Sequence, residues 1–364
     1  MRFAGNNFAF GNRSGSIALV AALWLSATSA TAVAAEQAHI LIADQFNNRV
    51  IEVDPQTHKV LWHFGNGSDL PGPHSVVGVN DAERFGPYTL ISGTGTPPSN
   101  PPLPGCSTPS TGCPDNRVFI VDQAGSIVWQ YGKAGVTGAG PDELNTPVQA
   151  EFLSGFPGHP GLQVLIADQA NARIIVVDLF TKDIVWQYGK TGVTGSGENR
   201  LNNPNSGEVL ANGNILIADE SNNRAIEVTS AKHIEHVYTA GGSLNGVAFA
   251  SRLDNGNTLI SDSNNNRIVE VNSADHIVWQ YATNTMHGSN AMPLPTRAVR
   301  LRNGNTLISD QFNNRVIEVD HAGQIVFTQG VLNVGGAGFD FLNGPYDAKV
   351  IGDFTGLTPP FAVN

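Results

Sequence analysis

A chain that repeats one short unit must either stack its copies or close them into a ring, and this chain is repetitive over most of its length. Ile40 to Phe64 reads ILIADQFNNRVIEVDPQTHKVLWHF, Val164 to Tyr188 reads VLIADQANARIIVVDLFTKDIVWQY, and Ile215 to Tyr238 reads ILIADESNNRAIEVTSAKHIEHVY. Thr258 to Tyr281 (TLISDSNNNRIVEVNSADHIVWQY) and Thr306 to Phe327 (TLISDQFNNRVIEVDHAGQIVF) follow the same pattern. A sixth copy is split. Leu90-Ile91-Ser92 begins it, residues 93–115 interrupt it, and Asn116 to Tyr131 resumes as NRVFIVDQAGSIVWQY.

Each copy holds three short β-branched runs separated by Asn, Asp and Gly, the pattern of strands joined by turns. A fourth run precedes the triplet, clearest at Asn205 to Leu210. Its counterparts are placed at His74 to Val79, Val148 to Leu153, Ala248 to Leu253 and Thr296 to Leu301. Asn-Gly shortly after Leu210, Leu253 and Leu301 marks tight hairpins. The third run opens with Arg49, Arg117, Arg173, Arg224, Arg267 and Arg315, so there are six units. Four strands per unit make a blade, and the fold expected is all-β: a six-bladed β-propeller of four-stranded antiparallel blades. The first unit has no fourth run before it. Leu342 to Ile351 (LNGPYDAKVI) matches Leu201 to Leu210 (LNNPNSGEVL), so the C-terminal strand is expected to complete blade one and remove the open edges.

The units resemble the NHL-type repeats of six-bladed propellers, and NGNTLISDSNNNRIVEVN also resembles repeats of bacterial arylsulfotransferase-like proteins. Related propellers include sugar lactonases, streptogramin lyases, the peptidylglycine amidating lyase and scaffold modules. The resemblance therefore implies a fold and not a function.

Residues 1–35 read as a secretory signal peptide. Arg2 and Arg13 are basic, Ile17 to Leu25 is an apolar run too short to span a bilayer, and small residues end at Ala35 before Glu36. Residues 36–364 are then one propeller domain with an insertion at 93–115, in a periplasmic or secreted protein. Cleavage removes two arginines and no acid, making the formal charge of −11 more negative by two. That disfavours nucleic acid and anionic membrane surfaces as partners. Beyond the signal no apolar run approaches membrane-span length, and a closed propeller is expected to be a monomer. Cys106 and Cys113, the two cysteines, lie in the insertion, where an oxidising compartment favours a disulfide over a two-thiolate metal site.

The residues shared by every copy are expected to maintain the repeat. Asp44, Asp168, Asp219, Asp262 and Asp310 each stand five residues before an arginine, where the carboxylate accepts turn donors and the guanidinium bridges turns or blades. Trp62, Trp129, Trp186 and Trp279 should pack between blades, with His236 and Phe327 in their place elsewhere. Function is then sought where the copies differ, at the pore mouth. The residues placed there are His74/Ser75, Val148/Gln149, Asn205/Ser206, Ala248/Phe249, Thr296/Arg297 and Tyr346/Asp347. This make-up suits a small-ligand pocket or a hydrated channel lining.

Two readings remain open. In the first, the loop-rich face binds a small molecule, glycan or protein, with Ser75, Gln149, Asn205 and Phe249 as ligand contacts. In the second, His74, His287, Arg297, Tyr346 and Asp347 form a hydrolase or lyase site, less readily a sulfotransferase. The arylsulfotransferase resemblance implies a catalytic His with Arg near the pore. The lactonase resemblance implies a calcium set, for which Glu151, Asn205 and Asp347 are the candidates, making Ca2+ the one cofactor considered.

Overall fold

The computed structural model describes residues 38–98 and 112–359. They form six four-stranded antiparallel sheets. Blade I is β24 (Pro345–Val350), β1 (Ile40–Asp44), β2 (Arg49–Val53) and β3 (Val60–Phe64), written from the axis outward. Blade II is β4 (Val79–Phe85), β5 (Tyr88–Thr96), β6 (Cys113–Val121) and β7 (Ile127–Tyr131). Blade III is β8 (Pro147–Phe156), β9 (His159–Asp168), β10 (Arg173–Asp178) and β11 (Ile184–Tyr188). Blade IV runs β12 (Pro204–Val209), β13 (Ile215–Asp219), β14 (Arg224–Val228) and β15 (Ile234–Tyr238). Blade V runs β16 (Val247–Arg252), β17 (Thr258–Asp262), β18 (Arg267–Val271) and β19 (Ile277–Ala282). Blade VI runs β20 (Arg297–Arg300), β21 (Thr306–Asp310), β22 (Arg315–Val319) and β23 (Ile325–Gly330). The inner strands touch in the ring β24–β4–β8–β12–β16–β20–β24, so the propeller is closed. As expected, the C-terminal strand completes blade I, with Ile42 opposite Ala348. The signal region and Cys106 lie outside the described residues.

The Asp-x-x-Asn-x-Arg segment shows why the repeat persists. Outside blade II it forms one 3-10 turn ending in a left-handed residue: Asn48, Ala172, Asn223, Asn266 or Asn314. Asn tolerates that conformation better than most side chains. The arginine Nε donates to the aspartate at 2.7–2.8 Å in all five blades. In blades I, III, IV and V the other carboxylate oxygen accepts a backbone N–H from the incoming loop, as Asp44 does from Asn343 and Asp219 from Asn202. The intervening Asn donates to the same aspartate and to a loop carbonyl, as Asn47 does to Gly336. The left-handed Asn faces the other way: Asn48 accepts from Gly78 of the next loop, and Asn223 accepts from Gly246. One turn therefore holds the loop behind it and the loop ahead.

Blade II keeps this clasp by a different route. Gly93 stands opposite Arg117 where the other blades have Asp. Asp115, two residues before Arg117, supplies the carboxylate, pairs with Arg117 and accepts the Val77 N–H at 2.7 Å. A Cβ on Gly93 would sit 2.6 Å from that carboxyl carbon, so the glycine makes room for it. Here the structure also corrects the strand placement. The inner strand begins at Val79 and not at His74, because the extended β5 hydrogen-bonds back onto Val77 and Gly78. Asn80 and Asp81 occupy the ring positions that His74 and Ser75 were expected to fill. Cys113 opens β6 and is buried.

Apolar faces of neighbouring blades pack together, as Leu165 and Ile174 of blade III do with Ile215 and Ile217 of blade IV. The outer-strand tryptophans reach across the seams. Trp62, Trp129, Trp186 and Trp279 each donate Nε1–H to a carbonyl of the next blade: Gln123, Leu179, Ser230 and His321. Phe327 stacks on His58 of blade I, and His236 packs on Tyr238.

Because β24 supplies both the inner edge of blade I and the last seam of the ring, a chain ending at Phe341 should lose closure. Its thermal midpoint should fall sharply and it should aggregate on heating; a midpoint equal to that of the full chain would contradict the closure described.

Candidate functional site

The inner strands share a three-residue signature: Asp81-Ala82-Glu83, Gln149-Ala150-Glu151, Ser206-Gly207-Glu208, Phe249-Ala250-Ser251, Arg297-Ala298-Val299 and Asp347-Ala348-Lys349. A bulge sits just before the first residue in five of the six strands. The middle residue is always small. The flanking two sit on the other side of the strand and meet around the axis.

An inner strand has one unpaired edge, and buried N–H groups left there cost free energy. Side chains of the preceding blade satisfy them. Asp347 accepts from Ala82, Asp81 from Ala150, and Gln149 from Gly207. One layer deeper, Glu83 accepts from Phe152, Glu151 from Val209 and Glu208 from Arg252. Blades IV, V and VI break the upper series with Ser206, whose hydroxyl has no hydrogen-bond partner among the described residues, Phe249 and Arg297. There the Arg297 guanidinium lies over the Phe249 ring at 4.2 Å, 3.0 Å from Asp81 and 3.1 Å from Asp347. Lys349 joins the same two carboxylates. Arg297 and Asp347 are each only 1% exposed, so this cluster is out of reach of a substrate.

Both ends of the axis are covered. At the top, where the 3-10 turns lie, Tyr346 of blade I crosses to Asn205 of blade IV at 2.9 Å. At the bottom, the segment after β24 crosses in the same direction. Its Asp353 accepts from the Arg302 N–H, and Thr358 donates its N–H to Glu208 at 2.9 Å.

The histidines do not join this cluster. His74 and His287 are exposed, in the loops before β4 and before β20. Ser75 is buried in the first of these loops, where its hydroxyl bonds the Leu70 carbonyl. Arg297, Asp347, Phe249, Gln149 and Asn205 are brought to the axis, with Tyr346 above them. Glu151, Asn205 and Asp347 have separate partners: Val209, the pair Tyr346 and Glu220, and the cations Arg297 and Lys349. A carboxylate already matched by two cations is a poor calcium ligand, and this set does not fit Ca2+. Among the described residues, no group of three or more His, Cys, Asp or Glu is placed to hold a metal.

The top mouth is polar, and in it Glu220 is half-buried while Asn80, Gln45 and Gln311 are buried. The first residues of the 3-10 turns bond one another above the axis. Gln311 donates to Gln45 at 2.8 Å, Gln45 donates to Asn80 at 2.7 Å, and Gln169, Asn203 and Asn205 all donate to Glu220 Oε2. Glu220 Oε1, Gln311 Oε1 and Asn80 Nδ2 make no hydrogen bond among the described residues. Burial pushes the Glu220 carboxyl up, against the lowering effect of Asn205. The sequence placed the mouth at the strand starts and overlooked these turn residues, together with Asp81, Glu83, Glu208 and Lys349. The small middle residue of the triplet was the available signal.

The deep acids have unusual proton affinities. Burial raises Glu83 to about 8 and Glu208 to about 7. Glu151 is pushed well above the usual range by burial and then by Glu208 and Glu83. Burial also works against the Asp347 carboxylate, but Lys349 and Arg297 outweigh it and hold the group below its ordinary value.

No protein-family model matches the sequence, and no curated protein matches it. Among solved structures, a protein of unknown function from Bacteroides caccae superimposes with a TM-score of 0.53 at 13% identity, covering 85% of this chain and 98% of that one. Virginiamycin B lyase from Staphylococcus aureus gives 0.46 at 11% identity over 79% of this chain and 83% of its own. The WD40 propeller domain of Doa1 gives 0.49 at 11% identity over 81% and 80%. At such identities the likeness concerns the fold alone.

The acid layer has a consequence for pH. Glu83 and Glu208 hold protons in the folded chain that an unfolded chain releases near pH 4.5. That stabilisation is complete below the unfolded value and is lost as pH rises through about 7 and about 8. The melting temperature should therefore fall between pH 5 and pH 9, and a Glu83→Gln/Glu208→Gln double variant should flatten the slope. A melting temperature that rises across this window would contradict the assignment.

Proposed function

We propose that this chain is an exported binding propeller that seats a small molecule or glycan at the top mouth of its axis. The observation that carries this reading is the division of polar groups along the axis. The acids of the deeper layers and Arg297 are buried, each with an ion-pair or backbone partner in a neighbouring blade, whereas Asn80, Gln311 and Glu220 at the mouth keep donor and acceptor atoms without partners among the described residues. A few polar groups at a binding site set ligand orientation and specificity. Binding is favoured over catalysis because the acid–base candidates His74 and His287 are exposed loop residues, separate from the buried Arg297 and Asp347. The basic-then-apolar N-terminus supports export with cleavage after Ala35. In an oxidising compartment Cys106 and Cys113 pair, closing a short loop that pins the insertion of blade II. The NHL-like repeat pattern fits a platform whose blades are structural and whose loops vary.

The test is a thermal-shift screen of the mature protein against small metabolites and soluble glycans. A ligand at about 100 times its Kd stabilises by roughly 2.7 kcal/mol. The shift should vanish in Glu220→Ala and persist in a His74→Ala/His287→Ala double variant. A ligand whose shift survives Glu220→Ala and is lost with the histidines would overturn the proposal.

A further inference from the structure

Two of the five 3-10 turns differ from the rest in the residue that follows the inward-facing Gln, Glu or Ser. Blades III, IV and V carry Ala170, Ser221 and Asn264 there; blades I and VI carry Phe46 and Phe312. The blades share their strands and clasps, so nothing in the repeat requires an aromatic ring at this point. The two phenylalanines occupy adjacent blades across the seam that β24 closes. Their rings are near parallel, at 20°, with centroids 6.3 Å apart. That offset makes a stepped apolar pavement and not a face-to-face stack.

The pavement is held in place. Phe46 donates its N–H to Asn343 and Phe312 donates to Pro293. The Phe46 ring lies so close to Gly344 that a Cβ there would approach it to 2.5 Å. Both rings are half-buried. The residue before each ring, Gln45 or Gln311, turns to the axis. There the two amides bond each other and Asn80, leaving Gln311 Oε1 and Asn80 Nδ2 unmatched. Apolar ring faces therefore adjoin uncharged amides at one edge of the mouth. Arg49 and Arg315, which follow these two turns, are buried and paired with Asp44 and Asp310, so neither offers an anion a free charge. The chain's net charge of −11 also repels anionic ligands.

Resting on the reading of the top mouth as a binding site, we propose that its ligand is a neutral saccharide. One face of a pyranose lies on Phe46 and Phe312, and its hydroxyls reach Gln311, Asn80 and Glu220. A pyranose has what this surface demands: a C–H face with slight positive polarity, attracted to the negative faces of aromatic rings, and hydroxyls at its edge that both donate and accept.

The experiment uses the mature full chain and a panel of neutral methyl hexopyranosides and their disaccharides, read by saturation-transfer NMR and calorimetry. Phe46→Ser and Phe312→Asn place at these turns the residues that blades IV and V already tolerate, so both variants should fold with unchanged circular dichroism. At least one sugar is expected to bind with its ring C–H protons most strongly saturated. Each variant should weaken it roughly tenfold, about 1.4 kcal/mol. Sugar binding unaffected by both variants would overturn the proposal. So would a mouth ligand, sensitive to Glu220→Ala, that proves to be anionic or a flat aromatic; in that case the binding reading stands and the saccharide falls. If no sugar or metabolite binds with sensitivity to Glu220→Ala, both fall together.

Discussion

The structure depends on the Asp–Arg pair that closes the turn between the second and third strands of each blade. Alone, such a pair would be a doubtful stabiliser, since desolvating two charges offsets most of their attraction. Here the carboxylates are fully buried, yet each has further donors besides the arginine. In blades I and II the remaining guanidinium donors end on carbonyls of the incoming loop, as Arg49 does on Ala337, Gly338 and Phe341 and Arg117 on Gly72 and Ser75. The pair thus fixes a loop to a blade, and the left-handed Asn beside it fixes the next loop. Blade II shows how strongly this is required. When its Asp position became Gly93, Asp115 took over from the neighbouring strand and reached the same arginine.

The axis follows a second constraint, that six strand edges face one another with unpaired N–H groups. The chain answers with side chains from the preceding blade, and this is why acids accumulate in a dry interior. Glu83, Glu151 and Glu208 are there to accept backbone hydrogen bonds, and burial keeps protons on them, aided at Glu151 by repulsion from Glu208 and Glu83. Arg297 and Lys349 balance the two aspartates nearest the top. Charged residues at the centre of a propeller invite a catalytic interpretation. In this molecule their partners are one another and the backbone.

Much of this was legible in the sequence, for a physical reason. The clasp needs the same Asp, Asn and Arg in every blade, so the number of blades and the match of Leu342–Ile351 to Leu201–Leu210 could be read directly. Arg297, Asp347, Gln149 and Phe249 were placed near the axis because they follow recognisable strand starts. The inner strand of blade II was read six residues early. Its clasp is rebuilt across an insertion, and Gly78 is pressed against the extended β5, so the local pattern there is not that of its neighbours. That shift put His74 and Ser75 in the ring in place of Asn80 and Asp81. Glu83 and Glu208 were missed, while Glu151 was named, because hydrogen bonding to the next blade's backbone leaves no trace in residue type; the constant small residue between the two layers was the one clue. The Phe46 and Phe312 pair is visible as a repeated QFNN in units that the expected closure makes neighbours, but only the structure shows the two rings near parallel across that seam.

The central claim is that the axial side chains serve as caps on the inner strand edges. Native-state hydrogen exchange tests it most directly at the amides of Ala82, Ala150 and Gly207, compared with a Gln149→Ala variant. These amides should exchange slowly, as ladder amides do, and in the variant Gly207 should lose protection while Ala82 keeps it. Fast exchange of all three in the unaltered protein would show the edges to be uncapped and would contradict the account.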